Sequence, residues 1–115
     1  MRYALLLATD DPADACHEER TERFAAFVAF VDEMRERGVL ADNGLRLQTT
    51  ATATSVTKRD GGELVIADGP FAETKEQIVG LFVVDCEDLD EAIEIASKVP
   101  LTRYGTVEVR PVWEI

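Results

Sequence analysis

A chain of 115 residues with 23 Asp and Glu against 12 Lys and Arg, formal net charge -11, has enough apolar surface for one core and too little for two, so residues 1–115 are read as a single domain. With 46% hydrophobic and 30% charged residues it has the balance of a folding globular protein. Its negative field repels phosphate backbones and anionic headgroups, which sets aside nucleic acid and membrane surfaces as partners.

The chain opens on Tyr3-Ala4-Leu5-Leu6-Leu7-Ala8, apolar at successive positions as in a strand buried on both faces. The run is shorter than an export-signal core of roughly 7 to 15 residues, and no cleavage pattern follows it. No stretch approaches the roughly 20 apolar residues needed to cross a bilayer, so a cytoplasmic protein is expected. Asp11-Pro12-Ala13-Asp14 can cap a helical turn, and from about Glu18 to Arg37 the residues Phe24, Phe27, Val28, Val31 and Met34 recur at helical spacing before Gly38. Asn43-Gly44 marks a turn ahead of Leu45-Arg46-Leu47. Thr52 to Lys58, joined through Arg59-Asp60-Gly61-Gly62 to Glu63-Leu64-Val65-Ile66-Ala67, reads as a hairpin.

Ile78 to Val84 is the second strand apolar on both sides, with Ile78, Gly80, Phe82 and Val84 expected on one face and Val79, Leu81 and Val83 on the other. Asp88-Leu89-Asp90-Glu91 reads as a capping box opening a helix whose buried stripe would be Leu89, Ala92, Ile93 and Ala96. Pro100 stops it, and Thr106 to Trp113 returns as an alternating strand. The order β, α, β-hairpin, β, α, β predicts an α+β fold: a ferredoxin-like antiparallel sheet with both helices on one face. The other face, apolar and bare, calls for a second copy of the chain as its cover.

Asp68-Gly69-Pro70-Phe71-Ala72-Glu73-Thr74-Lys75-Glu76 resembles the signature of the DGPF branch of the YCII-related proteins. Ala51-Thr52-Ala53-Thr54-Ser55-Val56 and Arg103-Tyr104-Gly105-Thr106-Val107-Glu108-Val109-Arg110-Pro111 resemble further stretches of that family, in the same order and at similar separations, so that nearly the whole chain is covered. The resemblance implies a ferredoxin-like domain pairing sheet to sheet as a dimeric α/β barrel. It also implies a family whose members are mostly uncharacterised. Some occur beside or fused to extracytoplasmic-function sigma factors, and a minority of the wider group resemble small-molecule lyases that use a His and Asp pair.

In Asp68-Gly69-Pro70 the carboxylate can take local backbone hydrogen bonds, Gly a conformation closed to other residues, and Pro the start of the next turn. The same loop could set Asp68, with Glu73 or Lys75, at the mouth of a cleft where a desolvated carboxylate serves as a general base. His17, the single histidine, suits proton transfer, yet among Asp14, Glu18 and Glu19 at a helix start a solvated histidine is the usual outcome. Tyr104 and Arg110 could bind an anionic or phenolic ligand through hydroxyl and guanidinium; equally, Tyr104 could close a turn and Arg110 pair across strands.

Neither GxGxxG, GxxxxGK[ST], HExxH nor GxSxG occurs, so no cofactor is expected. One His and two scattered cysteines, Cys16 and Cys86, supply no nitrogen or sulfur metal set, and both cysteines are expected as free thiols. Two functions compete: a small-molecule enzyme using acid and base chemistry in a cleft beside the dimer interface, and a non-catalytic ligand-binding or regulatory module using the same cleft.

Overall fold

The computed structural model describes residues 1–10, 17–72 and 74–114, with side chains in the first helix from residue 20 onward. The elements run β1 (Arg2–Thr9), α1 (His17–Arg37), β2 (Leu45–Arg46), β3 (Thr54–Lys58), β4 (Leu64–Asp68), β5 (Gln77–Asp85), α2 (Leu89–Ser97) and β6 (Thr106–Pro111), with 3-10 turns at Thr50–Thr52 and Pro100–Arg103. The two strands apolar at successive positions, β1 and β5, lie side by side at the centre of an antiparallel sheet ordered β2-β5-β1-β6. β3 and β4 pair separately. Their hairpin is closed by Gly62 N–H to Arg59 O and Arg59 N–H to Glu63 O, and most of its residues are exposed, so it gains little from joining the main sheet.

Strand alternation sorts the core. Tyr3, Leu5 and Leu7 of β1 and Phe82 and Val84 of β5 are buried in one cluster with Phe30 and Met34 of α1 and Ala92, Ile95 and Ala96 of α2, so both helices cover the same sheet face. The Phe82 ring lies 5.3 Å from that of Phe27 and 5.4 Å from that of Phe30. Ala4, Leu6, Leu81 and Val83 face the other way and stay half-buried.

Two expected faces shift. A register slip between Leu7 and Ala8 sets Ile78 opposite Ala8, removing it from the side of Gly80, Phe82 and Val84 and leaving it exposed. In the helices, Phe24 and Val28 are 55% and 41% exposed while Phe30 is buried, and α2 exposes Leu89 and Ile93 while burying Ile95. Both helices are rotated relative to the stripes read from spacing.

Asp88 caps α2 by accepting from Glu91 N–H at 2.9 Å, and Glu91 reaches back to Glu87 N–H, the expected box extended by one residue. Pro100 opens a 3-10 turn three residues beyond the end of the helix. Cys86 is a buried free thiol whose pKa is pushed up by burial; Cys16 and residues 11–14 lie outside the described residues. Among the described residues no helix is long and apolar enough to cross a membrane.

Candidate functional site

A pocket of about 470 Å³ opens at one end of the sheet, on the side that carries α1. Three parts of the chain build it. α1 supplies Arg20, Arg23 and Phe27, which three- and four-residue spacing places along one helix face. β2 and its continuation supply Leu45 through Thr50, held to β5 by Leu47 N–H donating to Val79 O at 2.8 Å. The Pro100–Arg103 turn supplies Pro100 and Leu101, followed by Tyr104, while Leu7, Thr9, Gln77, Val79 and Gly80 of the sheet form the floor.

Glycines set how closely these parts meet. A Cβ on Gly80 would stand 2.7 Å from Leu45 O, and one on Gly105 would stand 2.4 Å from Ala8 O and 2.8 Å from the Leu101 side chain. Gly105 therefore lets the segment holding Tyr104 lie against β1, where Thr9 Oγ1 donates to Tyr104 O at 3.2 Å. The Arg23 guanidinium carbon sits 3.9 Å from the centre of the Tyr104 ring, a cation–π contact that fixes both side chains. Among the described residues no carboxylate lines the pocket, and none pairs with Arg20, Arg23 or Arg46.

A second concavity, of about 530 Å³, shares Leu47 to Thr50 and Gln77 with the first and runs under the signature loop, with Pro70, Phe71, Ala72, Thr74 and Glu76 in its wall. Gln77 Nε2 donates to Ala72 O, Thr74 O and Thr74 Oγ1, tying the loop to β5. Glu76 Oε1 accepts from Thr106 Oγ1 at 3.2 Å, whereas its Oε2 is buried without a partner among the described residues.

Of the residues singled out in the sequence, Tyr104 lines the first pocket. Asp68 ends β4, exposed, and lines neither concavity. Of the Asp-Gly-Pro reading the glycine part is seen: Gly69 adopts φ 99°, its N–H donates to Ala53 O at 2.7 Å, and its carbonyl accepts from Ser55 Oγ, whereas among the described residues no backbone N–H donates to the Asp68 carboxylate. Lys75 is exposed outside both linings. Arg110 lies on the sheet face away from the helices, opposite Ala4, paired with Glu108 of its own strand and not across strands. His17 opens α1, but its side chain lies outside the described residues, as does Glu73.

A model of the YCII-related domain matches residues 1–115. The chain belongs to the YCII-related family. An uncharacterised protein of Rhizobium meliloti is 38% identical to it over 117 residues, covering 96% of this chain and 91% of that one. The residues that sequence reading passed over in this YCII-related chain are Arg20, Arg23, Arg46, Glu76 and Gln77. For Arg20 and Arg23 the only signal was their three-residue spacing ahead of Phe27, hidden among Glu18, Glu19 and Glu22.

Proposed function

We propose that this YCII-related chain binds a small organic molecule in the pocket between α1, the 45–50 segment and Tyr104, and works in the cytoplasm as a homodimer with its sheets packed face to face. The observation that carries the binding reading is the convergence of hydrogen-bonding groups from three separate elements on one apolar-floored pocket of about 470 Å³, within the roughly 300 to 1,000 Å³ common for such sites. The apolar outward sheet face supports the dimer, and the buried thiol of Cys86 fits a reducing compartment. A regulatory use linked to a sigma factor, as the family resemblance implies, would act through the same pocket.

Ligand-observed NMR with a library of metabolite-sized acids, amines and neutral compounds tests the binding site. Hits on the wild type should weaken at least about tenfold in Tyr104→Ala, which removes one wall and the stacking partner of Arg23. A library without a single hit, or hits indifferent to Tyr104→Ala, would sink the reading.

One observation favours an enzyme: Glu76, in the wall of the adjoining concavity, has a buried Oε2 without a partner among the described residues, a carboxylate oxygen that could accept a proton as a general base. In that case Glu76, and not the exposed Asp68, is the base. Turnover of a bound hit that is lost in Glu76→Gln with the fold intact is the expected result, and a hit recovered unchanged after prolonged incubation removes this second reading.

A further inference from the structure

We infer that the ligand of the α1 pocket is a small organic anion, one carboxylate or phosphate group on an apolar body, received by Arg20, Arg23 and Arg46. This inference rests on the binding reading above and names the chemistry of that site. It starts from an imbalance of charge. The chain has almost two acidic residues for each basic one, and Arg2, Arg35, Arg37, Lys98 and Arg110 are all paired with carboxylates. Three arginines without such partners among the described residues nevertheless line one pocket, together with no described carboxylate.

Guanidinium groups left together repel one another, and an incoming anion relieves that repulsion while accepting their N–H groups two at a time. Arg23 is prepared for this. Its guanidinium carbon lies over the Tyr104 ring, and among the described residues no carboxylate takes its N–H donors, which remain for a carboxylate or phosphate oxygen. Arg46 enters from the opposite wall, on β2 opposite Gly80, so cations from α1 and from the sheet edge face one space. Gln48, Gln77 and Thr49 add neutral polar groups.

The apolar part of the lining decides the rest of the molecule. Leu7, Phe27, Val79 and Leu101 are apolar, and a bare inorganic ion would leave them wet. A ligand with an aromatic or branched body fills that space and places its charged group among the arginines. The net charge of -11 further selects for size: an extended polyanion meets the repulsion of the whole surface, whereas a compact anion with a single charged group inside the pocket is shielded from charges beyond about 8 Å.

Calorimetric titration of the purified full chain with matched probes tests this: phenylacetate, phenyl phosphate, benzyl alcohol, benzylamine and inorganic phosphate. Phenylacetate or phenyl phosphate should bind at least about tenfold more tightly than benzyl alcohol, with benzylamine weakest; the stronger of the two anions identifies the headgroup. Inorganic phosphate should bind more weakly than phenyl phosphate. Arg23→Gln and Arg46→Gln should each weaken the preferred anion roughly tenfold and leave benzyl alcohol unchanged, with Arg46→Lys intermediate. Arg46 is exposed and Arg23 only half-buried, so melting temperatures should confirm that the variants fold. If benzyl alcohol binds as tightly as the anions, or the Arg variants bind anions normally, the anion inference is overturned while the pocket survives through its dependence on Tyr104. If no probe of any charge binds, both fall.

Discussion

Phe82 is the side chain around which the core is arranged. It is 1% exposed, takes the Phe27 ring at a tilt and the Phe30 ring edge-on, and abuts Gly44, where φ is 74° and a Cβ would lie 2.4 Å from the ring. Phe30→Ala should therefore cost about 3 to 5 kcal/mol by leaving a cavity against Phe82, whereas Phe24→Ala, at a largely exposed position, should cost less than about 1 kcal/mol. Chemical denaturation of the two variants checks this, and equal losses would mean that the helix faces the sheet in the other rotation. Strand spacing put Phe82 and Val84 on one face and Leu81 and Val83 on the other, because a strand has only two faces, but with both faces apolar it did not say which one the helices cover. The helix offered no such choice. Phe24, Phe27, Val28, Phe30, Val31 and Met34 form a continuous band about 160° wide at roughly 100° per residue, so spacing alone could not say which edge of that band lies deepest.

Between elements, charge holds what the core does not reach. Arg37 at the end of α1 donates to both carboxylate oxygens of Glu94 on α2, and Lys98 bridges Glu94 and Glu33, so one network spans the two helices. The hydrogen bond from Arg37, and then that from Lys98, hold the Glu94 carboxyl below the usual Glu range. A depressed carboxylate pKa adds stability above the unfolded value of about 4.3 and loses it as pH falls through the lowered folded value. Glu94→Gln should thus melt slightly earlier than wild type at neutral pH, and the gap should close as pH drops below about 4. A gap that stays constant down to pH about 3 would show that Glu94 contributes through packing and not charge. At this scale the left-handed Gly69 and the cap at Asp88 were legible, because each is written within a few consecutive residues. The arginine pocket was not, since it joins α1, β2 and the turn before β6, and no local pattern connects positions 20, 46 and 104.

At the scale of the whole molecule the outward sheet face calls for a cover. The Cα radius of gyration is 16.1 Å, against about 13 Å for a compact domain of this length, and the extents of 48 × 42 × 20 Å describe a flat body with apolar residues on its broad side. Ala4, Leu6, Leu81 and Val83 form the middle of that side, with Ile78 exposed toward its edge. Burying such a face against its copy would gain roughly 25 cal/mol per Å² of apolar surface before the entropy of association is subtracted, and typical interfaces bury about 1,600 Å². The charge of -11 on each chain works against pairing, but salt screens it within about 8 Å and leaves the apolar contact untouched. Two outcomes are therefore expected together in light scattering at low micromolar concentration: a dimer mass, and tighter association as salt rises from roughly 20 to 300 mM. Leu81→Lys, which puts a charge beside Leu6 at the middle of the face, should give a folded monomer by circular dichroism and mass. A wild-type monomer in moderate salt, or a Leu81→Lys dimer as tight as wild type, would mean that the face is covered in some other way.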